Sequence, residues 1–277
     1  MKIFVKILAV IILFQMILAL TFIPVRFSRG TPGAGGNFPL IIAHRGASGV
    51  APENTIPAID SALAVGVDYI EIDVHLSLDG RVMVIHDATV DRTTDGTGKV
   101  QELTAKHIQS LDAGSWFGES FSGVKIPTLE EVIRHIDGKT KLLIEIKKKR
   151  KENEGIEAEV IRLIRKYEAA EWCVVQAFND KVLETMHELA PEIVLHKLIV
   201  FKYRFIPYVF DGRMTRFSLE KFAYVQSINM HYRFFNRRFS DQVHKEGKTI
   251  FLWGCRKQTP CIPFDSIGWE GWITDFP

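Results

Sequence analysis

Between Tyr69 and Leu76 the chain reads Tyr-Ile-Glu-Ile-Asp-Val-His-Leu. Side chains of an extended strand alternate between its faces. Glu71, Asp73 and His75 therefore share one face, and Ile70, Ile72, Val74 and Leu76 the other. Two carboxylates on a core strand repel each other and lose hydration, which calls for a cation or basic partners. The stretch Leu142-Leu143-Ile144-Glu145-Ile146-Lys147 repeats the device, with Glu145 and Lys147 on one face. Three carboxylates without cysteine or clustered histidine ligands suit one hard divalent cation, Mg²⁺ or Ca²⁺, better than Zn²⁺. A structural network of acids with Lys and Arg has the same composition. Two histidines follow other strand-like runs, His44 in Ala43-His44-Arg45-Gly46 and His86 in Ile85-His86-Asp87. Such a pair can act as acid and base near neutral pH. Arg45 and Lys147 can neutralise phosphate oxygens, and a bound cation can polarise the same phosphate and lower the pKa of a hydroxyl. The chemistry indicated is metal-assisted cleavage of a phosphodiester.

These residues need elements to position them. The β-branched run at residues 40–43 predicts a buried strand. Ile56, Ile59 and Leu63 fall at helical spacing, with Asn54 or Thr55 to cap the start and Gly66 to stop the end. Strand 69–76 is expected to turn through Leu78-Asp79-Gly80 into a hairpin with residues 82–85. Further strands are expected at 142–146, 173–175, 193–200, 224–228, 249–252 and 271–274. Helices are expected at 129–136, 156–167, 182–189, 218–222 and 239–245. About eight strand–helix alternations favour a parallel α/β barrel over an open doubly wound sheet. In a barrel, the C-terminal strand ends that carry His44, Glu145 and Lys147 form the active-site face.

The whole chain has 277 residues with 35 basic and 33 acidic ones. That near balance lacks the basic excess of a nucleic-acid binder, and three cysteines are too few for a disulfide scaffold. The charge is unevenly placed: residues 1–36 carry Lys2, Lys6, Arg26 and Arg29 and no acid. Residues 7–25 are almost wholly apolar and, as a helix, would span about 28 Å, close to a bilayer core. Residues 1–29 therefore predict a signal anchor or a cleaved signal peptide, and residues 30–38 a flexible linker. A slight positive-inside bias puts the following domain, 39–277, outside the cytoplasm, membrane-anchored or secreted if the leader is cleaved. The aromatic-basic stretch 201–216 suits a membrane interface or a core segment equally.

The sequence resembles the glycerophosphodiester phosphodiesterase family. The resemblance rests on His44-Arg45-Gly46-Ala47-Ser48, Pro52-Glu53-Asn54-Thr55, Gly66 to Val74, Asp79-Gly80, His86-Asp87, Arg92-Thr93-Thr94, Ile126-Pro127-Thr128-Leu129, Glu145-Ile146-Lys147 and Ile273-Thr274-Asp275-Phe276-Pro277, in family order. It implies a TIM (β/α)8 barrel with a small insertion after the second strand. It also implies hydrolysis of a small-molecule glycerophosphodiester to an alcohol and sn-glycerol 3-phosphate. It assigns the metal to Glu71, Asp73 and Glu145, acid/base catalysis to His44 and His86, and phosphate binding to Arg45 and Lys147. The sequence departs from the family at Ala177-Phe178 and Leu252-Trp253-Gly254-Cys255, positions expected to line the substrate mouth. Trp253 could stack on a substrate group or be a core aromatic. Lysophospholipids are an alternative substrate, and a silent phosphodiester-binding barrel an alternative role. No nucleic-acid or protein partner is implied.

Overall fold

The computed structural model describes residues 39–148, 152–202, 208–211, 214–255 and 268–277. The expected leader and linker, and residues 203–207 and 212–213 of the aromatic-basic stretch, lie outside them. Among the described residues twelve strands form: β1 (Leu40–Ala43), β2 (Tyr69–Leu76), β3 (Val82–Val84), β4 (Lys141–Ile146), β5 (Cys173–Ala177), β6 (Val194–Ile199), β7 (Phe201–Lys202), β8 (Tyr208–Phe210), β9 (Met214–Arg216), β10 (Ser227–His231), β11 (Thr249–Cys255) and β12 (Gly271–Thr274). The helices are α1 (Ile56–Val65), α2 (Ala105–Ser110), α3 (Leu129–Ile136), α4 (Ile156–Lys166), α5 (Asp180–Leu189) and α6 (Arg237–Lys245).

Strands β1, β2, β4, β5, β6, β10, β11 and β12 pair in parallel, and the β1–β12 and β1–β2 pairings close them into an eight-stranded barrel. This is the architecture of a TIM barrel. Closure leaves no exposed strand edge, and the inward side chains must fill the interior. Ile42, Tyr69, Leu143, Val174, Phe251 and Ile273 form one buried cluster there. The opposite face of the strands, with Ile70, Ile72, Val74, Leu142 and Ile144, joins the helices in the main core. Helix α3 follows from its sequence: Thr128 and Glu131 form a reciprocal capping box, and Leu129, Val132, Ile133 and Ile136 are buried. Gly66 ends α1 in the left-handed conformation at φ 73°. Among the described residues, no helix is long and apolar enough to cross a membrane.

The hairpin strand β3 pairs antiparallel with the end of β2 and leads into an insertion with its own buried cluster, including Met83, Val90, Val100, Ile108 and Ile126. Two expectations shift. Residues 219–224 are turns and not a helix, because Phe217 and Phe222 enter the core by stacking on each other, 5.3 Å between ring centroids. The strand expected at 224–228 is β10, at Ser227–His231. Its position is set by pairing with β6 and β11, where Ser227 meets His196 and Thr249. The aromatic-basic stretch contributes β7, β8 and β9 to a separate antiparallel sheet.

Candidate active site

The register of β2 on β4 places Asp73 directly beside Glu145. One carboxylate oxygen from each of Glu71, Asp73 and Glu145 lies within 4.8 Å of the other two, and all three residues are buried. Lys147 Nζ reaches back over the strand end to Asp73 Oδ1 at 2.9 Å and Glu145 Oε1 at 2.5 Å. Arg45 Nε lies 3.3 Å from Asp73 Oδ2.

Burial and the two neighbouring acids hold the Glu71 carboxyl well above the usual carboxylate range. Burial also raises Glu145. Asp73 goes the other way: burial disfavours its charge, but Lys147 and Arg45 outweigh it and hold the carboxyl low. Three acids against two close cations leave the cluster short of positive charge. An all-oxygen donor set with that deficit fits a hard divalent cation.

The loop after β1 bends sharply. Arg45 and Gly46 both have positive φ, 54° and 76°. A Cβ on Gly46 would lie 2.7 Å from the Ala58 backbone, so only glycine fits this close approach to α1. The bend is held at Glu71: Arg45 N–H donates to its Oε2 at 2.9 Å, and Gly46 N–H to its backbone carbonyl at 3.1 Å. Asn54, also at positive φ, is not a helix cap. Its side chain donates to Asp73 Oδ2 at 2.9 Å and accepts from Asp73 N–H at 3.1 Å. Thr55 occupies the cap position of α1, but its hydroxyl donates to the Pro52 carbonyl.

Each of the two expected acid/base histidines has a carboxylate behind it. His44 Nδ1 meets Asp275 Oδ1 at 2.5 Å, because β12 closes against β1. His86 Nδ1 meets Asp87 Oδ1 at 2.6 Å. With Nδ1–H committed to a carboxylate, Nε2 is the nitrogen left to exchange a proton. Burial lowers the His86 pKa, with Asp73 opposing the shift and Lys147 and Arg45 adding to it. Asp87 is held down to about 2: burial opposes its charge, but hydrogen bonds from Arg92 and His86 prevail. His44, Arg45, Ser48, Glu53, His86, Asp87, Arg92 and Asp275 line a cavity of about 260 Å³.

His75, third on the carboxylate face, supports the site from the hairpin side. Asn153 Nδ2 donates to its Nδ1 at 2.9 Å, which leaves Nε2–H to donate to the His86 carbonyl at 3.1 Å. Phe178 and Trp253 do not line that cavity. They pack edge to face with centroids 5.8 Å apart, and Trp253 also meets His231 at 4.8 Å. Phe178 stands just past the C-terminal end of β5, His231 at that of β10, and Trp253 in the C-terminal half of β11. Sequence reasoning assigned no role to Glu53, Asp87, Arg92 and Asp275. The only signal was their place in the short motifs that carry the family resemblance, Pro52–Thr55, His86-Asp87, Arg92–Thr94 and Ile273–Pro277.

A parallel barrel that gathers carboxylates, histidines and cations at the C-terminal ends of β1, β2 and β4 defines a hydrolase of phosphate esters. The profile of the glycerophosphoryl diester phosphodiesterase family matches residues 44–277, so the chain belongs to that family of phosphoric diester hydrolases. The glycerophosphodiester phosphodiesterase of Caldanaerobacter subterraneus is 37% identical over 242 residues, covering 86% of this chain and 94% of that protein. That of Bacillus subtilis is 30% identical over 253 residues, covering 86% and 84%. The structure of an Oleispira antarctica phosphodiesterase in complex with the product sn-glycerol-3-phosphate aligns with a TM-score of 0.73. It is 29% identical and covers 87% of this chain and 94% of that one.

Proposed function

We propose that this protein hydrolyses glycerophosphodiesters to an alcohol and sn-glycerol 3-phosphate, with Glu71, Asp73 and Glu145 holding one divalent cation, Mg²⁺ or Ca²⁺. The observation that carries this reading is the juxtaposition of the buried three-carboxylate cluster with two carboxylate-backed histidines. When bound, the cation supplies Lewis-acid polarisation of the phosphate and acidifies a nearby hydroxyl. Arg45 and Lys147 neutralise phosphate oxygens and orient the diester. One histidine Nε2 takes the proton from the substrate hydroxyl next to the phosphate as that oxygen attacks phosphorus. The other gives a proton to the departing alcohol oxygen. The resulting cyclic phosphate is opened by water with the two roles exchanged, which restores both histidines.

The test is hydrolysis of glycerophosphocholine by the full chain, with and without EDTA, beside His44→Ala. Loss of turnover in both arms is expected. Full activity in EDTA would remove the cation, and full activity in the variant would remove the acid/base role.

The aromatic contacts of Phe178, Trp253 and His231 favour a second reading, lysophospholipase D action, since such a wall suits an apolar or quaternary-ammonium group. Turnover of lysophosphatidylcholine above that of glycerophosphocholine would select it. For localisation we propose residues 1–29 as an anchor or signal that places the domain outside the cytoplasm. Recovery of the full chain in the soluble cytoplasmic fraction would overturn this.

A further inference from the structure

The insertion after the hairpin is internally tied. Val90 N–H donates to the Gly98 carbonyl at 3.0 Å, and Val100 N–H to the Ala88 carbonyl at 3.0 Å. Thr94 Oγ1 donates to the Val90 carbonyl at 2.8 Å. Further along, the Asp112 carboxylate accepts from the N–H groups of Gly114, Ser115 and Gly123. Arg92 therefore projects from an ordered loop.

Its guanidinium is spread between two carboxylates. Nη1 and Nη2 donate to the two oxygens of Glu53 at 2.9 and 2.8 Å, and Nε donates to Asp87 Oδ2 at 2.6 Å. Each carboxylate serves a second group. Glu53 Oε1 also receives Arg45 Nη1 at 2.7 Å, and Asp87 Oδ1 meets His86 Nδ1. Arg45, Glu53, Arg92, Asp87 and His86 thus form one continuous chain from the β1 side of the cavity to the hairpin side. Glu53 stays ionised within it: burial works against its charge, but the Arg92 hydrogen bonds and the two guanidiniums hold it below its usual range. The fork is what permits this. A lysine ammonium has no planar arrangement that meets both oxygens of one carboxylate and one of another.

We propose that Arg92 is a positioning residue for the reaction, setting the direction of His86 through Asp87 and of Arg45 through Glu53 without touching the reacting atoms. On this view the insertion is part of the active site. Without Arg92, Asp87 and Glu53 are like charges across one cavity, and each loses the partner that aims it. This inference rests on the phosphodiesterase reading.

The experiment measures glycerophosphocholine turnover by Arg92→Ala and Arg92→Lys, with Tm for each and Mg²⁺ binding by calorimetry. A kcat loss of about tenfold to hundredfold is expected for Arg92→Ala, the scale of a misplaced catalytic group. Tm within a few degrees of wild type and an unchanged Mg²⁺ Kd should accompany it. Methylguanidinium in the assay should restore part of the Arg92→Ala activity. Arg92→Lys keeps the charge and should still lose at least severalfold. Unchanged kcat in both variants overturns the inference, as does a loss that tracks a falling Tm and resists methylguanidinium. Wild-type protein inert toward the diester would bring down the phosphodiesterase reading itself; active wild type with unaffected variants brings down this inference alone.

Discussion

Replacing Gln176 by leucine should weaken divalent-cation binding without altering any residue that would hold the ion. A column of buried side chains crosses the barrel interior beneath the carboxylates. Ser227 Oγ–H donates to Asn229 Oδ1 at 2.8 Å, and Asn229 Nδ2 donates to Gln176 Oε1 at 2.9 Å. That contact aims the Gln176 NH₂ at Glu71 Oε1, 3.3 Å away. Gln176, Asn229 and Glu71 are at most 1% exposed, so water cannot replace the lost donor. A hydrogen bond to a charged group contributes about 1.5–3 kcal/mol, and the long contact puts this one at the lower end. About 1.4 kcal/mol is tenfold in affinity, so the Mg²⁺ Kd should rise by about tenfold. The direction agrees with electrostatics: Glu71 is already held well above the usual range by burial and its acidic neighbours, and losing a donor favours its proton further over a cation. The assay is calorimetric titration of metal-free protein with Mg²⁺ and Ca²⁺, with Glu71→Gln as the variant that should abolish binding. A Gln176→Leu Kd within twofold of wild type, beside a dead Glu71→Gln, would refute the reasoning.

Asp275→Asn should lower kcat by about 10²–10⁴, because an amide cannot hold the His44 Nδ1–H as a carboxylate does; steady-state kinetics with unchanged kcat would remove Asp275 from the machinery. A third prediction concerns pH and stability. Burial depresses the His196 pKa to about 4 from an ordinary value of 6.5, so the unfolded chain takes up the proton first. Stability from this group is fully present above pH 6.5 and is lost as pH falls from 6.5 toward 4, by about 3 kcal/mol in all. Urea unfolding of wild type and His196→Gln across that window should show a shallower acid slope in the variant, and parallel slopes would contradict it.

Much of the site was legible in local sequence because its chemistry and its strand alternation coincide. Glu71, Asp73 and His75 share a face for a reason that needs only the period of a strand, and Glu145 follows the same rule on β4. The glycines that end α1 and turn the hairpin could be read for the same reason, since each answers to its immediate neighbours. Strand β10 was misplaced by three residues because polar residues break its apolar run: Ser227 and Asn229 face the interior network, while apolar Ile228 and Met230 join the main core. The period survives, but the apolar run that marks a strand does not.

By itself, then, the sequence determined which residue types face one way along each strand, and through its ordered motifs the barrel and the family. Only the tertiary structure decided the partners. Asp275 reaches His44 across 231 positions because the last strand closes on the first. Gln176 lies 105 positions from Glu71, and Arg92 lies 39 from Glu53. Asn54 serves Asp73 and not the helix beside it. The physical reason is range. Alternation and capping are set by neighbours along the chain, whereas the direction of a buried charge or amide depends on which distant group barrel closure brings within hydrogen-bonding distance.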